Sequence, residues 1–320
     1  QHDTDERADD WAGPSPCGGG ENPNNPTPTP IPGTPTPTPN PTNTPFPDAE
    51  WFSGNRVHLH TEQYLGNIIK SVGMSKFLSE LQQTGAKTFE AHLDTKVNPG
   101  FSDSDSDILV RLPDSQRPQV STTQEKKFIQ DIHTLGIKFI SYNSLFIVNK
   151  PTAEAHPDLI AKNPKGKPIL YVQPNNTNET YYLDITDPAV KNLIKDRLLQ
   201  QASFGADAFY FDEAHLPTTG AFGTNLERMF VESKGKPAPK TTNPSNPAFI
   251  EYMRFQGEAI AEVFEYLKQE VKQQYPNVVF IVGSQPYVSQ INYRFPSSVV
   301  RVADSTKSEF KHPIFDGWSL

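Results

Sequence analysis

Three times the chain passes from an amphipathic helical pattern through one glycine into a short, aromatic-bearing strand pattern. The three junctions are Gly85-Ala86-Lys87-Thr88-Phe89, Gly136-Ile137-Lys138-Phe139 and Gly205-Ala206-Asp207-Ala208-Phe209. A glycine just past a helix takes the left-handed conformation that ends it, and the strand that follows enters a parallel sheet. Strand patterns fall at 56–60, 86–91, 137–142, 206–211, 278–282 and 299–303. Helical patterns precede most of them. One carries Phe77, Leu78 and Leu81, one Phe128, Ile129, Ile132 and Leu135, and two more cover 188–203 and about 246–274.

Such alternation over about 270 residues, from Asp48 onward, predicts a (β/α)8 barrel of TIM type. About six βα units are present, so the domain at 49–320 reads as a C-terminally shortened barrel, since ring closure needs two more strands. A doubly wound open sheet is the alternative, but no Gly-x-Gly-x-x-Gly follows the first strand pattern. Residues 1–48 hold thirteen of the 31 prolines, in runs such as Thr34-Pro35-Thr36-Pro37-Thr38-Pro39. They read as a disordered or extended polyproline spacer. Threonine–proline spacers are typical of secreted modular proteins, can be O-glycosylated, and can attach a domain to a cell surface. The expected location is therefore secreted or on the surface of a bacterial cell.

The net charge of −8 and the lack of a basic stripe argue against nucleic acid. No apolar run is long enough for membrane insertion. The lone cysteine, Cys17, excludes a disulfide framework within one chain. Asn175 and Asn178 begin N-glycosylation sequons. The run 102–107, alternating serine and aspartate, lacks the glycine and distal glutamate of a calcium loop and reads as a solvated acidic loop.

Chemistry concentrates at the carboxyl ends of the strand patterns, where a barrel keeps its site. The first offers His58 and His60, the second Glu90 and His92, the third Tyr142. The fourth, apolar from Ala206 to Phe211, ends on Asp212, Glu213 and His215. A carboxylate pair ending a buried strand is costly unless it opens onto solvent, metal or substrate. The fifth offers Gln285 and the sixth Asp304, with Glu309 beyond. Carboxylates and amides that bind hydroxyls, beside aromatic rings such as Tyr142 and Trp51 that stack on a pyranose, suit a carbohydrate. Two carboxyl groups suffice to hydrolyse a glycosidic bond.

The segments 56–61, 156–168 (His-Pro-Asp-Leu, then Asn-Pro-Lys-Gly) and 183–188, followed by a helix and the strand into Asp212, together resemble a group of TIM-barrel glycosyl hydrolases. That group is related to α-L-fucosidases and the catalytic barrels of bacterial β-galactosidases. The resemblance spans roughly residues 52–310, with Leu159 where tryptophan is usual. It implies a retaining glycosidase with Asp212 as nucleophile and Asp304 or Glu309 as acid/base. His58, His60, Glu90, His92, Tyr142, Glu213, His215 and Gln285 would bind substrate. The implied partner is an oligo- or polysaccharide, with no cofactor and no metal.

Two other classes compete. A secreted carbohydrate-binding or surface-structural protein derived from such a barrel would share the spacer and lack turnover. A metal-dependent amidohydrolase-like enzyme would use His58-x-His60 to hold a divalent ion, although the fifth and sixth strand patterns offer no further histidine or lysine ligand.

Overall fold

Six strands pair side by side, all parallel, in the order β1-β2-β3-β7-β8-β9. They are β1 (His58–Tyr64), β2 (Thr88–His92), β3 (Lys138–Asn143), β7 (Ala208–Phe211), β8 (Val279–Ser284) and β9 (Ser305–Ser308). The computed structural model describes residues 51, 58–93, 120–144, 146–171, 179–212, 217, 220–284, 299 and 302–308. The spacer at 1–48, Cys17, the acidic run at 102–107 and both sequon asparagines lie outside them.

Each strand is added next to the preceding one, with β1 and β9 at the edges of the described sheet. A doubly wound sheet would instead reverse its order about a central first strand. The strand order therefore removes that alternative, and the described strands form an open sheet without β1–β9 pairing.

The helices are α1 (Leu65–Val72), α2 (Met74–Gln83), α3 (Thr122–Thr134), α4 (Lys150–Ala155), α5 (Pro188–Phe204), α6 (Thr224–Lys234) and α7 (Pro247–Gln274). Their ends follow local chemistry. Ser121 and Gln124 close a capping box on α3, while Asp187 and Asn246 cap α5 and α7, each followed by proline. At the exits, Gly85, Gly136 and Gly205 have φ of 71°, 71° and 105°, in the left-handed region expected of them. None of the described helices is long and apolar enough to cross a membrane.

Strand alternation divides the sheet into two faces. Phe89, Phe139, Phe209, Phe211 and Phe280 lie on one, in the main core cluster with Phe128 of α3, Leu193 and Leu198 of α5 and Phe264 of α7. Their rings meet at 5.2 to 6.4 Å, from Phe211–Phe264 to Phe89–Phe139, within the range of favourable aromatic pairs. Truncating one of these fully buried rings to alanine costs about 3–5 kcal/mol. Ile140, Tyr142, Ala208, Tyr210, Val279 and Ile281 line the second face.

A second, antiparallel sheet went unforeseen. Its strands β4 (Ile147–Asn149), β5 (Leu170–Tyr171) and β6 (Thr180–Tyr182) are ordered β4-β6-β5 in the long connection after β3. Lys162 and Phe222 exchange backbone hydrogen bonds of 2.8 and 2.6 Å, tying this connection to the one after β7. Both connections leave carboxyl ends of strands, so the small sheet braces the rim that bears the site. The basic segment 234–240 is held by Lys236–Glu251 and Lys240–Glu227 ion pairs.

The sixth strand is also displaced. Residues 305–308, rather than 299–303, pair with β8, Ile281 standing opposite Ser305. Asp304 thus precedes the strand it was expected to follow.

Candidate active site

Register determines which side chains share the second face. His60, Glu90, Ile140 and Ala208 are successive partners across four strands, and Tyr142 stands opposite Tyr210. Alternation puts His58, Thr88 and Asp212 on the same face. Between the His60–Glu90 and Tyr64–His92 pairs, β1 is irregular and holds two extra residues, a bulge at the strand's outer end. Tyr64 stacks there on His92 at 4.6 Å.

Asp212 directly follows β7, and its backbone N–H donates to Asn143 O at 3.0 Å, so the ladder with β3 carries on to this residue. The Tyr142 hydroxyl donates to Asp212 Oδ2. Rings on three sides fix Tyr142: His92 at 4.1 Å, Tyr210 at 5.3 Å and His60 at 5.5 Å between centroids. Gly283 of β8 gives Tyr210 its room, because a Cβ there would fall 2.5 Å from the Tyr210 hydroxyl.

Further along the face, Glu90 is 1% exposed and sits between two imidazoles. His60 Nδ1 lies 2.6 Å from its Oε1, and His58 Nε2 lies 3.0 Å from its Oε2. Thr88 Oγ1 and His58 Nδ1 form a hydrogen bond of 2.8 Å. Contacts through Tyr142 thus link His60, Glu90, His92 and Asp212 along one face, with His58 beside Glu90. However, β1 runs from His58 to Tyr64, so His58 and His60 stand at its amino end rather than at the carboxyl end expected of them. Tyr210 and Thr88 belong to the group and were not singled out from the sequence. Alternation carried back from Asp212 and Glu90 points to them.

Asp304 does not join them. It sits at the amino end of β9, where its Oδ2 accepts from Phe280 N–H at 3.0 Å. Lys268 and Lys272 of α7 lie 2.8 and 2.6 Å from its two oxygens. Burial alone would raise this carboxyl. The hydrogen bonds from both lysines and from Phe280, with the Lys272 charge, outweigh it and hold the group below the ordinary carboxylate range. An acid catalyst must keep its proton near neutral pH and face the substrate. Asp304 meets neither condition, at the opposite end of the sheet from Asp212.

Asp207 plays the same part at the start of β7, accepting from Phe139 N–H at 2.9 Å and pairing with Lys138 and His133. Trp51, expected among the aromatic residues of the mouth, lies at this amino end, with Lys138 Nζ 5.7 Å from its ring centroid. Asp184 is also structural. Its Oδ1 accepts from the Thr186 N–H and hydroxyl, and Thr186 in turn accepts from Asn225 of α6. Glu213, His215, Gln285 and Glu309 lie outside the described residues.

No family model and no curated protein matches the chain. Solved carbohydrate-active enzymes share its fold. A β-galactosidase from the psychrophilic Marinomonas ef1 superposes with a TM-score of 0.55 at 10% identity, over 82% of this chain and 42% of that one. The cycloisomaltooligosaccharide glucanotransferase of Paenibacillus sp., complexed with cycloisomaltoheptaose, gives 0.52 at 11% identity, over 83% and 35%. An α-galactosidase from Thermus thermophilus in complex with stachyose gives 0.46 at 12%, over 79% and 44%. The chain therefore spans less than half the length of each. At these identities the likeness to the first two shows the fold alone, α/β with a parallel sheet.

Proposed function

We propose that residues 49–320 form the catalytic barrel of a secreted glycoside hydrolase that retains anomeric configuration, with Asp212 as nucleophile. The observation that carries this reading is the placement of Asp212. It ends a buried strand of a parallel sheet, its carboxylate accepts from Tyr142, and it shares a face with His60, Glu90 and His92. Structures of the same fold include a β-galactosidase and a glucanotransferase complexed with a cyclic saccharide.

In this mechanism an Asp212 oxygen attacks the anomeric carbon while the glycosidic C–O bond breaks. The leaving oxygen takes a proton from a second carboxyl, which then, as carboxylate, draws a proton from the water that hydrolyses the glycosyl–enzyme ester. Glu309, immediately after β9 in sequence, takes the acid/base role in this reading. The backbones of β7 and β9, separated by β8, run about 9–10 Å apart. A retaining pair needs its carboxyl groups roughly 5–5.5 Å apart, within the range open to side chains on strands of that spacing. His92, Glu213, His215 and Gln285 would hold sugar hydroxyls.

The test is turnover of a panel of aryl α- and β-glycosides by the full chain and by Asp212→Asn. The proposal expects hydrolysis of at least one member and a fall in kcat on the order of 10³-fold or more in the variant. Saccharide binding without turnover of any member would instead make the domain a carbohydrate-binding module.

A further inference from the structure

We propose that His58, His60 and Glu90 bind a divalent transition-metal ion of the zinc kind. His58 and His60 alternate along β1 and so share a face, and register places Glu90 of β2 opposite His60. One ligand atom from each of the three lies within 4.8 Å of the others. A tetrahedral zinc ion with bonds of about 2.0–2.1 Å spaces its ligand atoms about 3.4 Å apart, so small side-chain rotations suffice to form the site. Two imidazole nitrogens with one carboxylate oxygen suit zinc and its neighbours in the first transition row better than calcium or magnesium, which take oxygen ligands.

Three further features fit such a site. Glu90 is buried at 1% exposure with each carboxylate oxygen against an imidazole nitrogen, so the oxygen ligand is already held beside the two nitrogen ligands. The His58–Thr88 hydrogen bond engages Nδ1 and leaves Nε2 directed at Glu90, the kind of outer partner that orients a ligating histidine. The His58 and His60 side chains are 32% and 31% exposed, so an ion can enter and a fourth position stays open to water or another ligand. The site is independent of the glycosidase reading and stands whether or not Asp212 attacks a sugar.

The test is calorimetric titration of the full chain with zinc chloride after dialysis against a chelator, with the bound metal measured by elemental analysis. The expected result is one saturable ion per chain and a rise in Tm with zinc. Glu90→Gln and His60→Asn should each weaken binding by about tenfold or more, and Thr88→Val by roughly 10- to 100-fold. His60→Asn changes a partly exposed side chain and Glu90→Gln is isosteric, so far-UV circular dichroism should show both folded. The control variant His2→Asn/Cys17→Ser should bind zinc as the parent does. Absence of saturable binding, unchanged affinity in Glu90→Gln and His60→Asn, or loss only in the control variant would overturn the proposal.

Discussion

The Tyr142 hydroxyl donates to Asp212 Oδ2 and so joins the carboxyl ends of β3 and β7 by their side chains as well as their backbones. Tyr142 is itself held by the His92, His60 and Tyr210 rings. The orientation of the proposed nucleophile is therefore set by a packed aromatic group rather than by a loop.

Removing that donor should impair catalysis and spare the fold. A hydrogen bond to a charged group contributes about 1.5–3 kcal/mol, so Tyr142→Phe is expected to lower kcat/KM roughly 10- to 150-fold on any aryl glycoside the parent hydrolyses. The ring and its packing remain, so far-UV circular dichroism should match the parent. Unchanged kcat/KM would mean that Tyr142 does not position Asp212.

Asp304 should matter for stability and not for turnover. Replacing it with asparagine leaves Lys272, 8% exposed, without its counter-charge, at a cost of about 1–3 kcal/mol. The folded carboxyl is held below its unfolded value of about 3.9. Its stabilisation is therefore fully present above that pH and is lost as pH falls through the lower folded value. The Tm gap between parent and Asp304→Asn should be wide at pH 7 and narrow steadily below about pH 3.9. A large fall in kcat with unchanged Tm would restore Asp304 as a catalytic candidate.

Gly283 and Tyr210 should be coupled. Gly283→Ala puts a Cβ 2.5 Å from the Tyr210 hydroxyl and 3.3 Å from Phe211 O, so β8 or the ring must shift, at about 1–3 kcal/mol. Tyr210→Phe removes the hydroxyl. Denaturant unfolding of the double variant should therefore show a loss smaller than the sum of the two single losses, by about 0.5 kcal/mol or more. Strict additivity would show that the clash is relieved elsewhere.

Much of the scaffold is legible in local chemistry. Glycines 85, 136 and 205 punctuate helix-to-strand junctions because left-handed φ favours glycine, and Asp187-Pro188 and Asn246-Pro247 start helices by capping and preset φ. Such signals act within a few residues of where they are read. The small antiparallel sheet is less legible because its strands have two or three residues, too few to display a period.

The misplacement of Asp304 has a similar origin. The apolar residues at 299–303 look like a strand, yet pairing with β8 begins at Ser305. A longer-range signal was available, since Ala303-Asp304 repeats the Ala206-Asp207 pair that precedes β7. In both places the aspartate accepts from the backbone N–H of the neighbouring strand's second residue and pairs with lysine, Lys138 at Asp207 and Lys268 and Lys272 at Asp304. Tyr142 and Asp212 were readable from strand ends, because parallel register brings consecutive strand ends to one rim, whereas β1 runs on to Tyr64, so His58 and His60 stand at its amino end and Glu90 in the middle of β2. The side-chain links, Tyr142 to Asp212 and Thr88 to His58, depend on how rings pack and are not written in any spacing.

The central claim, Asp212 as nucleophile, is tested most directly by trapping. The full chain would be incubated with activated 2-deoxy-2-fluoro glycosides matching the aryl glycosides it hydrolyses, and intact mass and peptide mapping would follow. A single fluoroglycosyl adduct is expected, on the peptide containing Asp212, and none on Asp212→Asn. Turnover without an adduct, or an adduct on another carboxylate, would contradict the claim.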